Sequence, residues 1–473
     1  MGRGRQVDVD RTAKRRARGQ PFAALLGLAA TVLCPASGRA ETLDSALARA
    51  YGGNPTLGAQ RASVRAVDEN VPRALSGYRP SVAIVGSAGF SNVTGESLGT
   101  NVSRDLFPRA IGLQINQNLF NGFRTANSTR SAESQVFSAR EGLRNVEQNV
   151  LYTGAQAYMN VLRDTATLDL QRNNVEVLEE QLRQTRDRFS VGEVTRTDVA
   201  QAESRLAFSR SQVSVAESNL QTSIATYRQI IGVEPRQLAP GRPVDRLVPA
   251  TLAGAVQIGL DEHPAVISAL HAVDAAEVQV KIVEGELAPT VGLVGTLSQN
   301  YDAQTRGDNF LSGSVVAQLT VPIYAGGGEV YARVRQAKET AGQRRIEAES
   351  TRDQVRAAIV SAWGSLESAK ANVRASQAQV AAAEVALTGV REEARVGQRT
   401  TLDVLNQQQE LLNARVNLIT AQRDRVVASY AVVQSTGRLS AKALGLAVSL
   451  YNARQHYDQV RDLPWGTRTP DGR

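Results

Sequence analysis

Apolar residues along this 473-residue chain keep two different periods, and each pattern returns after about 205 residues. Between 124 and 190, and again between 329 and 395, there is no proline and little glycine. Val161, Leu168, Val175, Leu182 and Phe189 recur every seventh position in the first stretch; Leu366, Val373, Val380, Leu387 and Ala394 do so in the second. The register resumes over 196–231 through Val199, Leu206, Val213, Leu220 and Tyr227. Over 401–436 it resumes through Val404, Leu411, Leu418 and Val432, with Arg425 interrupting. A sustained seven-residue repeat predicts helices that supercoil against one another. A helix over 124–190, rising 1.5 Å per residue, spans about 100 Å. Only a tight turn fits between each long helix and its successor, so each pair folds back as an antiparallel hairpin.

Period two governs four shorter stretches: 81–93 (SVAIVGSAGFSNV), 109–120 (RAIGLQINQNLF), 290–301 (TVGLVGTLSQNY) and 310–323 (FLSGSVVAQLTVPI). Ile111, Leu113, Ile115 and Leu119 alternate with Gly112, Gln114, Asn116 and Asn118, with Gln117 as the break. Such alternation predicts strands with one apolar and one polar face. The lengths suit tilted membrane-spanning strands of about 9–11 residues, each pair joined by a polar loop. Phe107, Tyr301 and Phe310 fall at the loop ends, and Tyr78, Phe120, Phe123 and Tyr324 at the others, as interfacial aromatic girdles do. A soluble hairpin on a sandwich is the alternative.

The chain is thus one unit written twice, with repeats at 41–240 and 249–445, a Pro-rich linker at 241–248 and a tail at 446–473. Asn54-Pro55 and His263-Pro264 occupy corresponding places, where the polar residue caps a helix that proline begins. Each hairpin tip carries the same phrase: VGEVTRTDV from Val191, and VGQRTTLDV from Val396. Gly192 and Gly397 permit the left-handed backbone of a tight turn. Thr195 and Thr400 are candidate caps for the returning helices, with Asp198 and Asp403 three residues on.

Residues 1–40 place Arg11, Lys14, Arg15, Arg16 and Arg18 before an apolar run, PFAALLGLAATVLC, and a small-residue stretch, PASGRA. This is the layout of a secretory leader cut after Ala40, and about 14 apolar residues are too few to cross a bilayer. Eight Lys/Arg and two Asp lie in that segment, so the formal charge of +8 belongs mostly to the leader and gives no reason to expect nucleic acid as a partner. The sole cysteine, Cys34, goes with it. The mature chain therefore has no thiol for disulfides or metal.

Four strands cannot close a barrel in lipid, because open edges leave backbone groups unsatisfied. Three chains supply twelve strands and six hairpins about one axis. The repeats, the strand pairs and above all the tips RFSVGEVTRTDV and ARVGQRTTLDVL resemble the TolC-like outer membrane channel proteins. The tail LGLAVSLYNARQHYDQVRD looks like that of the type I secretion branch. The resemblance implies a mainly α homotrimer. Its 12-stranded β-barrel in outer membrane lipid continues as a periplasmic α-helical barrel, and it takes cargo from an ABC-type or proton-driven inner-membrane pump through a periplasmic adaptor.

It further implies that the tips (Val191, Gly192, Thr195, Val396, Gly397 and Thr400) dock on the adaptor. Asp403 would supply one carboxylate per chain to a ring at the tunnel constriction. Arg399 would latch onto Thr197 and Asp198 of a neighbouring hairpin. Helix capping is the competing role for both aspartates. Two departures stand out: the second acid of such rings is Asn406 here, and Ala394 stands near the place of the family's latch tyrosine.

Nothing in the chain suggests an enzyme or a cofactor. The histidines at 263, 271 and 456 are scattered, and no nucleophile elbow or metal-ligand spacing appears. AGGGEV at 325–330 lacks the lysine of a phosphate loop and aligns with NGFRTA, a strand-to-helix crossing. Drug or small-molecule efflux competes with protein secretion as the duty of such a channel, and a non-channel coiled-coil protein is the remaining alternative.

Overall fold

The computed structural model describes residues 40–97 and 100–472; the expected leader, apart from Ala40, lies outside them. The first repeat contains α1 (Leu43–Gly53), α2 (Pro55–Asp68), α3 (Asn70–Leu75), β1 (Ser81–Ala88), β2 (Ser91–Ser97), β3 (Thr100–Leu106), β4 (Arg109–Asn121), α4 (Arg124–Ser190) and α5 (Arg196–Ile231). The second contains α6 (Leu252–Glu262), α7 (Pro264–Glu284), β5 (Thr290–Tyr301), β6 (Asn309–Thr320), α8 (Glu329–Arg395) and α9 (Thr401–Ser435). Two short helices, α10 (Ala441–Leu444) and α11 (Ala453–Val460), follow.

Both 67-residue helices run over the limits expected from the heptads. Leu168, Leu182, Leu206 and Tyr227 are buried in the first hairpin, and Leu366, Leu387, Val404 and Leu411 in the second, so the sevenfold positions form the seams. Phe189, the last of the first series, is exposed beside the tip. Both proline junctions are capped as expected. Asn54 Oδ1 accepts the amides of Thr56 and Leu57 at 2.9 and 3.3 Å. His263 Nδ1 accepts the Ala265 amide at 3.2 Å, a role open only to the neutral ring. Burial lowers the pKa of that ring and so favours the neutral form.

The strands β1, β4, β5 and β6 pair antiparallel in that order. Their register stacks Ile84, Leu113 and Leu297 across the sheet, with Val82 beside Ile115 and Val291 beside Leu319. The opposite face holds Gln114, Thr296 and Ser314, and the hydroxyls of Thr296 and Ser314 lie 2.8 Å apart. One face is therefore apolar and exposed, and the other is polar. A bulge at Leu119 shifts the register, so Phe120 and not Leu119 pairs with Val291 on the apolar side. Among the described residues, both β1 and β6 end the sheet with an unpaired edge.

The strand expected over 81–93 is shorter. It stops at Ala88, where the Gly89 amide donates to Pro108 O at 3.0 Å, and the chain then forms a separate hairpin of β2 and β3. That stretch is polar with little alternation, so its ladder is invisible to a hydrophobic pattern. Asn92 Nδ2 donating to Asp105 at 2.6 Å helps join its two arms. The corresponding loop of the second repeat is a compact turn, in which Asp308 accepts the amides of Ala303, Gln304 and Thr305. Strand β6 ends at Thr320 instead of 323, because Pro322 has no amide to donate.

The glycine cluster crosses from strand to helix as its alignment suggested. Gly326, Gly327 and Gly328 have φ of 57°, 62° and 100°, a run that side chains would strain. The largest core lies where α1, α4, α5 and α9 meet, around Tyr158, Tyr227 and Tyr430. The Tyr158 hydroxyl sits 2.7 and 2.6 Å from the carbonyl oxygens of Glu41 and Ala239, tying the start of the first repeat to the stretch that leaves it.

Candidate functional site

Each tip is built from two consecutive capping devices. At the end of α4 the Gly192 amide donates to Phe189 O at 3.0 Å and the Glu193 amide to Arg188 O at 2.9 Å. At the end of α8 the Gly397 amide donates to Ala394 O at 3.2 Å and the Gln398 amide to Glu393 O at 2.9 Å. This paired closure requires a left-handed residue after the helix. Gly192 and Gly397 supply it with φ of 81° and 79°. A Cβ at either glycine would meet no atom within 4 Å, so the need is conformational and not steric.

The returning helices open with a reciprocal box. The Thr195 amide donates to Asp198 Oδ2 at 2.8 Å, and the Asp198 amide to Thr195 Oγ1 at 3.3 Å. In the second tip the Thr400 amide donates to Asp403 Oδ2 at 3.0 Å and the Asp403 amide to Thr400 Oγ1 at 3.2 Å. Both carboxylates are held below the usual aspartate range. For Asp198 the largest cause is the Thr195 hydroxyl, and for Asp403 it is the Thr400 amide. Capping is therefore a role that both aspartates do fill, and it keeps both charged.

The tips share this backbone but reverse their charges. Arg188 on α4 pairs with Glu193 in the loop at 3.0 Å, whereas Glu393 on α8 pairs with Arg399 in the loop at 2.9 Å. Arg188, Glu193 and Glu393 belong to no motif, and the signal for them is the 205-residue offset, which sets Arg188 opposite Glu393. Thr197 is exposed in the first turn of α5, and within this single chain Arg399 pairs with Glu393. Val191 and Val396 are each 71% exposed at the apices. Asn406 accepts from Arg205 at 2.8 Å, which ties α9 to α5. An open groove of about 630 Å³ runs between the tips, lined by Gln181, Gln184, Arg188, Glu193, Arg391 and Thr401.

The family model for outer membrane efflux proteins matches residues 46–233 and 255–438, one match per repeat. The chain belongs to the outer membrane efflux protein family. It is similar to the outer membrane efflux protein BepC of Brucella suis, at 43% identity over 95% of this chain and 97% of that one. It is also similar to the alkaline protease secretion protein AprF of Pseudomonas aeruginosa, at 25% identity over 67% of each. Its fold matches the crystal structure of the CmeC outer membrane channel of Campylobacter jejuni with a TM-score of 0.74, at 16% identity and covering 89% of both chains. As a member of this family the protein resides in the outer membrane, with its helical hairpins extending into the periplasm.

Proposed function

We propose that the protein is the outer-membrane exit duct of a tripartite export machine, working as a homotrimer. The observation that carries this reading is a four-stranded sheet with two open edges, one apolar face and one polar face, continued by two hairpins whose long arms run about 100 Å. Three copies satisfy every edge in a twelve-stranded barrel. The polar face then lines a channel, and the hairpins continue it as a tunnel. Exposed Phe208 and Val215, seven residues apart on α5, give the hairpin a second apolar strip for a neighbouring copy.

In this reading the tips dock on a periplasmic adaptor fed by an inner-membrane pump. The groove between the tips, with both signs of charge on its walls, is a surface for an adaptor helix. Asp403 contributes one carboxylate per chain to a ring at the constriction, kept ionised by its Thr400 bonds, and three such charges attract cations and repel anions. Arg399 stands close enough to temper that ring. In the closed trimer it exchanges Glu393 for Thr197 and Asp198 of the adjacent hairpin.

Two cargo classes follow from the relatives. Protein secretion is the duty the tail resemblance suggests, and AprF is named for it. The closer similarity to BepC, over nearly the whole chain, favours efflux. A deletion strain separates them: loss of a protein from the culture medium marks secretion, and greater susceptibility to toxic small molecules marks efflux. If neither changes, and re-expression alters neither, the exit-duct reading fails.

A further inference from the structure

The C-terminal segment ends in an exposed loop beside the base of the sheet. Arg461 lies 3.9 Å from Glu133 on α4. Arg79 then donates to the carbonyl oxygens of Leu463 and Asp462 at 2.9 and 3.3 Å, and Asp471 returns to Arg65 on α2 at 3.8 Å. From Arg65 to Tyr78 the backbone is nearly all helical, so Arg79 stands about 20 Å beyond Arg65 along that path. The loop therefore climbs to Arg79, reverses near Gly466 (φ 118°) and descends. Its exposed end is Leu463-Pro464-Trp465-Gly466, beside the guanidinium of Arg79, a residue two positions before β1.

At this end Trp465 is 86% exposed and Leu463 45% exposed. Tryptophan is among the most buried side chains on average, so this degree of exposure is unusual. The surroundings supply an occupant. Tyr78, bound through its carbonyl to Gln117 Nε2 at 3.1 Å, sits at the same rim, and exposed Phe123, Ile323 and Tyr324 continue the aromatic and apolar border of the sheet. Arg79 spends its donors on backbone carbonyls and, among the described residues, has no carboxylate partner, which leaves a cation facing the same level. Amphipathic rings and free cations are what a phospholipid headgroup layer accepts.

We propose that residues 461–467 form a lipid-docking foot, in which Trp465 seats in the headgroup region of the periplasmic leaflet and Arg79 holds the loop there and meets lipid phosphate. The foot is separate from the hairpin tips, so it stands or falls apart from adaptor docking. It sets the height of the helical part against the membrane and resists tilting of the duct.

The chain has two tryptophans, so Trp363→Phe leaves Trp465 as the only indole. The full mature protein carrying this change is placed in nanodiscs of phosphatidylethanolamine and phosphatidylglycerol, with and without brominated acyl chains. Trp465 emission should fall in brominated lipid, shift to the blue relative to detergent-free tail peptide, and resist aqueous iodide. Adding Arg79→Ala should lessen the bromine effect while the oligomer is retained. Iodide quenching without a bromine effect would overturn the proposal. So would protection from both quenchers, which would make a neighbouring copy the occupant. A Trp363→Phe, Trp465→Phe, Leu113→Trp variant reports on the apolar face of β4. If it is quenched by bromine while Trp465 is not, the barrel stands and the foot alone fails.

Discussion

Along the α4–α5 seam the Ser223 hydroxyl donates to the buried Asp164 carboxylate, and Asn174 Nδ2 donates to Ser209 at 3.0 Å. The places corresponding to Asp164, Ser223 and Ser209 in the α8–α9 seam hold buried Ala369, Ala428 and Ala414, and that of Asn174 holds the exposed Gln379. The exposed borders differ in the same sense. Arg172–Glu217, Arg186–Glu203 and Arg210–Glu179 bridge the first hairpin, and of these only the last has a counterpart in the second, Arg415–Glu384. Gln408 stands where Glu203 stands in the first repeat, buried and with its side-chain oxygen unpartnered. Such exposed pairs contribute only about 0.2–1 kcal/mol each, and buried polar pairs add little net stability. What they do fix is register, because slippage would strand each partner at a cost of about 1–3 kcal/mol. Duplication thus kept one backbone but pinned the register of the first hairpin with buried polar pairs that alanines replace in the second.

The largest expected effect comes from breaking what the two hairpins share. Gly192→Val or Gly397→Val forces a left-handed valine, with a strain of about 1–3 kcal/mol. Adaptor cross-linking and export should fall in both variants while oligomer yield persists, with the greater local loosening, read by hydrogen exchange, in the Gly397 variant. Normal export in both would reduce the tips to turns. Next, Asn174→Leu strands the Ser209 hydroxyl, for about 1–3 kcal/mol. Amide exchange along α4–α5 should rise toward that of α8–α9, which should be the faster of the two in the unaltered protein. Gln379→Leu, exposed at the matching place, should change nothing. Equal exchange in both unaltered hairpins would contradict the stapling argument.

The charge ring gives the third prediction. Asp403→Ala should weaken block by multivalent cations in bilayer conductance. The Asp403 pKa is depressed by its Thr400 bonds, so the carboxylate stays charged above that lowered value and is neutralised only as pH falls through it. Block should therefore be unchanged across neutral pH, and the capping contribution should be lost only as pH falls through the lowered value. Block that vanishes already near neutral pH would assign the effect to another group. The smallest effect belongs to the loop cations. Arg399→Ser removes an exposed surface pair and should raise basal conductance modestly, whereas Arg188→Ser should not. An equal rise in both would mean that the reversed charges have no part in closure.

The long helices and tips were legible in sequence because a sevenfold repeat, unbroken by proline, leaves few other structures open, and because Gly-x-x-Thr-x-x-Asp spells two caps in order. Strands β4, β5 and β6 were legible to within about three residues through their alternation. The β2–β3 hairpin was not, since its stability comes from the ladder and from polar pairs such as Asn92–Asp105, which carry no hydrophobic period. The staples were equally hidden. Asp164 and Asn174 look like solvated helix residues until the facing helix supplies Ser223 and Ser209. Likewise α11, which buries His456 against Asp68 at 3.2 Å, depends on a contact across almost the whole chain.

Native mass spectrometry of the protein extracted from outer membranes tests the central claim most directly. The open edges of β1 and β6 require a single detergent-bound species of three copies, with strand signal retained. A monodisperse monomer that keeps its strand signal would contradict the twelve-stranded duct, and with it the ring, the tunnel and the latch.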